Sequence, residues 1–143
     1  MRTYLVVAHR TLVGDHLLDH VRSLCEGGEC RFHLVVPVTH PRGHAWSDGE
    51  VEGVARRRLD EGLAAFRAVG AEVTGEVGDA NPVYAVATAL RREPADGGWA
   101  GILVSTLPPG RSRWLRLDAV SRITRDFDLP VTHLVAAPTA TDA

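Results

Sequence analysis

Lysine is absent from this chain: all sixteen basic residues are arginine. The usage goes with a G/C-rich coding sequence, which also explains the abundance of Ala, Gly, Val and Asp and the few Ile and Asn. Eighteen acidic residues leave a formal net charge of −2. The surface as a whole therefore speaks against a nucleic-acid or anionic-membrane binder, and any anion site must be local. Without lysine there is no Walker-type Gly-x4-Gly-Lys loop. The stretch "VSTLPPG" lacks the Gly-x-Ser-x-Gly elbow, so Ser105 reads as a poor nucleophile. Cysteine is scarce too. Cys25 and Cys30 flank the turn "CEGGEC", where a disulfide would close a very small loop, and no CxxC pair points to zinc or thiol–disulfide chemistry. Two free thiols in a reducing compartment are expected. No window approaches the about 18–20 apolar residues of a membrane span. The start "MRTYLVVA" shows no charged leader with a long apolar core and small-residue cleavage site, so a cytoplasmic location is expected.

What remains is a chain of 143 residues with 45% hydrophobic side chains, enough for one core. Residues 3–8, "TYLVVA", and 31–37, "RFHLVVP", are β-branched apolar runs and read as buried strands. Residues 71–77 alternate and read as an edge strand, and residues 100–106 and 130–136 complete a set of five. Between them lie helices over 13–25, about 50–69, from Asn81–Pro82 onward, and 112–126. Val13, Leu17, Leu18, Val21 and Leu24 share one face of the first. Gly27 and Gly28 end it. Asn81 and Pro82 suit the N-cap and first position of the third. Residues 38–49 read as a loop, and Trp46 and Trp99 as loop aromatics. The pattern is βαβαβαβαβ, which builds a doubly wound parallel sheet with helices on both faces. One domain over 1–137 with a flexible tail over 138–143 is expected.

Ligands of such sheets sit outside the carboxyl ends of the strands, where the strand order reverses. That singles out Ala8, His9 and Arg10 after the first strand and Ser105, Thr106, Gly110, Arg111, Ser112 and Arg113 after the fourth. Val35 and Val36, at the end of the second strand, complete the candidate ligand-binding set. "GRSRW" opens the fourth helix, where unpaired N–H groups and the helix dipole favour an anion. There Arg111 and Arg113 can clamp phosphate oxygens bidentately. The alternative is that these arginines are solvated or paired with neighbouring aspartates. His9 can contact an anion or exchange protons near neutral pH. No catalytic residue is assigned. His16 and His20 are spaced for a metal but lack a third ligand, and read as solvent-exposed. His40 and His44 read as part of a polar loop, and His33 and His133 as hydrogen-bonded packing histidines. No metal site is expected.

"TYLVVAHR", "FHLVVP", "GILVST" and "LPVTHLV" together resemble the universal stress protein family over nearly the whole chain. The resemblance implies a five-stranded parallel sheet in the order 3-2-1-4-5. It also implies a homodimer built by pairing the last strand, here Pro130, Val131, Thr132, His133, Leu134 and Val135. Many members of the family bind ATP through Gly-x2-Gly-x9-Gly followed by Ser or Thr, with an acidic residue closing the first strand. This sequence departs from both features: only Gly110 remains in the loop, Leu117 and Asp118 stand where Gly and Ser are usual, and His9 replaces the acid. A bulky and an anionic side chain oppose a triphosphate there. Arginine side chains in place of a glycine cradle are one outcome; loss of nucleotide binding is the other. The reading reached is a divergent, non-enzymatic relative that needs no cofactor and binds a small anion or a protein partner, with ATP or AMP as the nucleotide candidates. Two alternatives stay open: a phosphate-ester hydrolase or transferase in the same crevice, and a structural dimer without ligand.

Overall fold

The computed structural model describes residues 2–8, 14–38, 47–92, 98–106 and 117–135. The apolar runs are strands: β1 (Arg2–Val7), β2 (Cys30–Pro37), β3 (Glu72–Gly78), β4 (Trp99–Thr106) and β5 (Val131–Val135). They form one sheet in the order β3-β2-β1-β4-β5, and every pairing is parallel. The all-parallel character is the one expected from the alternating pattern, and the order is the one the family resemblance implies. Edge placement of β3 agrees with its weak, alternating burial.

The helices are α1 (Asp15–Glu26), α2 (Asp48–Ala68), α3 (Pro82–Leu90) and α4, described from Leu117 to Asp126. Local chemistry sets their ends. Gly27 caps α1 and its N–H bonds back to Ser23 and Leu24. Ser47 opens α2 with a capping box: its side chain accepts from the Glu50 N–H while the Glu50 carboxylate accepts from the Ser47 N–H. This helix therefore starts earlier than the apolar periodicity alone indicates. Asn81 accepts from the N–H groups of Val83 and Tyr84, and Pro82 occupies the first turn of α3, as expected. Trp99 departs from its expected place in a loop. It begins β4, and its indole N–H donates to Leu90 O at 3.3 Å, satisfying a carbonyl at the end of α3.

Two hydrophobic clusters fill the two faces of the sheet. On one face Val6, Phe32, Leu34 and Leu103 pack against Leu17 and Val21 of α1 and Ala55, Leu59 and Phe66 of α2. Phe32 sits between Tyr4, with rings stacked at 5.8 Å, and Phe66, edge-on at 5.8 Å. On the other face Leu5, Val7, Val35, Ile102 and Val104 pack against Ala85, Val86 and Ala89 of α3 and Val120 and Ile123 of α4. Each fully buried Leu, Val or Phe contributes about 1.5–3 kcal/mol relative to exposure. Gly75 lets α2 seat on β3: a Cβ there would lie 2.5 Å from Leu59 Cδ1 and 3.2 Å from the Leu34 carbonyl oxygen. Among the described residues no helix is long and apolar enough to cross a membrane.

Candidate functional site

Because β1 has β2 on one side and β4 on the other, the chain leaves β1 toward one edge of the sheet and leaves β4 toward the other. In doubly wound parallel sheets ligands sit outside the carboxyl ends of the strands at such a reversal of order, so this end of the sheet is the candidate crevice. Val7 stands opposite Val104 in register, so Ser105 and Thr106 extend β4 past the end of β1. Ala8 follows directly after β1; its N–H donates to Val35 O at 3.3 Å and its methyl is buried. Val35 and Val36 are fully buried and point into opposite cores. Of the candidate ligand-binding set the structure thus brings Ala8, Val35, Ser105 and Thr106 to one end of the sheet. Val36 lies there too, and both valines are core side chains. His9, Arg10, Gly110, Arg111, Ser112 and Arg113 lie outside the described residues, as do His40, His44 and Trp46.

The last two residues of β4 carry hydroxyls, and each meets an imidazole. Ser105 is fully buried, and its Oγ lies 2.8 Å from His16 Nε2, in the first turn of α1. Thr106 is nearly buried, and its Oγ1 lies 2.8 Å from Nε2 of His133 on β5. Strand alternation sends the two hydroxyls to opposite faces of the sheet. His16 was expected to be solvent-exposed together with His20; both are instead half-buried. The reason is topological. A helix that follows β1 begins over the carboxyl end of the sheet, so its first turn lies against the end of β4. The sequence signal was that position, next to Leu17 and just past the first strand.

Burial pushes the His16 pKa below its ordinary 6.5, and the neighbouring Asp15 carboxylate only partly opposes it. At neutral pH the ring is therefore uncharged, with one N–H and one lone pair, and the tautomer decides whether Ser105 donates or accepts. Such a pair offers neutral hydrogen bonding at the crevice, and protonation would turn His16 into a local cation. Among the described residues no group of three or more His, Cys, Asp or Glu side chains is placed to hold a metal ion. Asp79 accepts from the Asn81 N–H at 2.9 Å in a turn that leads into α3.

The other strand histidine is part of a packing cluster, as expected. His33 Nδ1 lies 2.7 Å from Thr74 Oγ1 and its Nε2 lies 2.9 Å from Glu76 Oε2. Arg92 pairs with the same carboxylate oxygen.

No protein-family model matches the sequence, and no curated protein matches it. Solved structures do. A universal stress protein family structure from Burkholderia pseudomallei aligns with a TM-score of 0.60 at 17% identity, over 92% of this chain and 94% of that one. The universal stress protein from Archaeoglobus fulgidus aligns with a TM-score of 0.60 at 17% identity, over 94% and 93%. A universal stress protein in complex with cAMP aligns with a TM-score of 0.57 at 13% identity, over 95% and 98%. The chain has the fold of the universal stress proteins, in agreement with the resemblance carried by its strand sequences.

Proposed function

We propose that this chain is a non-enzymatic, cytoplasmic binding domain that takes a small anionic ligand of the nucleotide class in the crevice between the carboxyl ends of β1 and β4. The observation that carries the reading is the reversal of strand order at that point, with Ala8, Ser105 and Thr106 at its edge. Similarity to a universal stress protein that binds cAMP supports it. The sequence orders the candidates. Leu117 and Asp118 disfavour a triphosphate, so a monophosphate such as AMP or cAMP fits better than ATP. Arg111 and Arg113 are the side chains assigned to the phosphate.

The same reading includes a homodimer. In one chain β5 pairs with β4 on one side only and stands at the edge of the sheet. Val131 to Leu134 are half-buried, and Val135 is an exposed large apolar side chain. A second copy pairing along Pro130 to Val135 would cover that edge.

A thermal-shift series tests the ligand. cAMP, AMP, ATP and inorganic phosphate are added in large excess to the wild type and to an Arg111→Ala/Arg113→Ala variant. Cyclic or simple monophosphates should raise Tm by several degrees in the wild type, with little rise in the variant. A wild-type Tm unmoved by all four compounds overturns the nucleotide reading; an equal rise in both proteins overturns the arginine assignment. Sedimentation equilibrium tests the dimer, and a monomer mass across the micromolar range overturns it.

A further inference from the structure

At the opposite end of the sheet from the crevice, α1 ends and β2 begins within a few residues. Cys25 lies in the last turn of α1, and Cys30 is the first residue of β2. The turn between them is tight. Gly27 caps the helix, Gly28 takes a φ of +148° that side chains rarely adopt, and the Gly28 N–H donates to Cys25 O at 3.3 Å. Cys30 Sγ turns back toward α1 and donates to Leu24 O at 3.4 Å, the carbonyl adjoining Cys25. Both thiols are free. They pack in one hydrophobic cluster, with Cys30 buried and Cys25 half-buried at its rim. These are the only two cysteines in the chain, and the fold packs both into one cluster, near enough for a charge on Cys30 to act on Cys25.

We propose that Cys25 and Cys30 form an oxidisable dithiol, a modification site in which a hydroperoxide converts the pair to an intramolecular disulfide that small thiols reduce again. The step balances in two stages. The Cys25 thiolate attacks the peroxide oxygen, giving a sulfenic acid and hydroxide, which takes up a proton to leave as water. Cys30 Sγ then attacks the Cys25 sulfur, the S–O bond breaks, and a second water leaves. Overall two thiols and one hydrogen peroxide give one disulfide and two waters. Cys25 is the first to react because it is the more exposed thiol, and Cys30 resolves it because it is held next to the same turn.

The site has a built-in rate control. Burial raises the Cys25 pKa above its ordinary 9.0, and a negative charge on Cys30 would raise it further. The Arg2 guanidinium opposes this; it also donates to Leu24 O at 3.3 Å. The thiolate is therefore scarce at neutral pH, and oxidation is slow there and quicker in alkali.

The test uses the full chain, with hydrogen peroxide as the probe. The reduced protein is treated near pH 7 and near pH 9, quenched, alkylated, and read by intact mass and peptide mapping. The expected product has lost the mass of two hydrogens, takes up no alkylating reagent, yields one Cys25–Cys30 linked peptide, and regains both thiols with dithiothreitol. It should form several-fold faster at the higher pH. Cys25→Ser and Cys30→Ser should each give no such product. Should either variant fail to fold, the wild-type peptide map decides alone. Wild type that keeps two alkylatable thiols, oxidises at Cys25 to the sulfinic acid with Cys30 still reduced, or links two chains instead, overturns the proposal.

Discussion

His33 and His16 are both half-buried histidines bonded to a hydroxyl, yet they do different work. His33 has both ring nitrogens engaged, by Thr74 and by Glu76, and Arg92 shares the same carboxylate. It ties β2 to the edge strand β3, and the cluster closes on itself. Among the described residues His16 has one hydrogen-bond partner, Ser105, and it stands at the carboxyl end of the sheet. Its burial is not offset by a bonded carboxylate, so the neutral ring is favoured. His33 is a fastener between two strands, whereas His16 is a neutral ring at the carboxyl end of the sheet, where taking up a proton would create a local cation.

The largest effect should come from the closed cluster. His33→Ala removes both hydrogen bonds while the Arg92–Glu76 pair stays, and a loss of about 1–3 kcal/mol in unfolding free energy is expected by urea denaturation. A loss within about 0.5 kcal/mol would put His33 in the class of solvated surface residues and erase the contrast.

Ser105→Ala should cost less, about 1 kcal/mol, because the hydrogen bond it takes from His16 is one that a half-exposed ring can replace with water. A larger loss than for His33→Ala would reverse the ranking of the two sites.

The smallest and most specific effect is on pH dependence. His16 has a lowered pKa in the folded protein, so between that value and its ordinary 6.5 the unfolded chain binds more protons. Its contribution to stability is complete above 6.5 and is lost as pH falls through the window below it. Denaturant midpoints taken on acidification should decline less steeply in His16→Gln than in wild type. Parallel curves for the two proteins would remove His16 as a titrating group.

Much of the fold could be read before any coordinates. The β-branched runs, the Asn81–Pro82 start of α3 and the glycines after α1 are local signals, and their alternation restricts the topology to a few choices. The exceptions were set by tertiary contacts. Trp99 sits beyond a Gly-Gly pair and looks like loop, but its indole is needed by the Leu90 carbonyl, and that bond starts the strand early. The site was half legible. Ser105 and Thr106 follow from where β4 ends. The meeting of His16 with Ser105 spans 89 positions of sequence, and no periodicity rule relates residues that far apart. The helical spacing of His16 and His20 drew attention to a metal instead, while the informative feature was nearness to the end of β1.

The placement of β1 has a consequence for how the protein is made. Its first neighbour, β2, follows after one helix, but its second, β4, comes from the last third of the chain: Thr3 pairs with Trp99. During synthesis the central strand therefore waits with one row of backbone amides and carbonyls unsatisfied until two more helices and another strand have emerged. Non-local parallel pairing is slow in itself. A chain cut short before residue 99 has its central strand open along one side, the state in which sticking to other chains competes with folding.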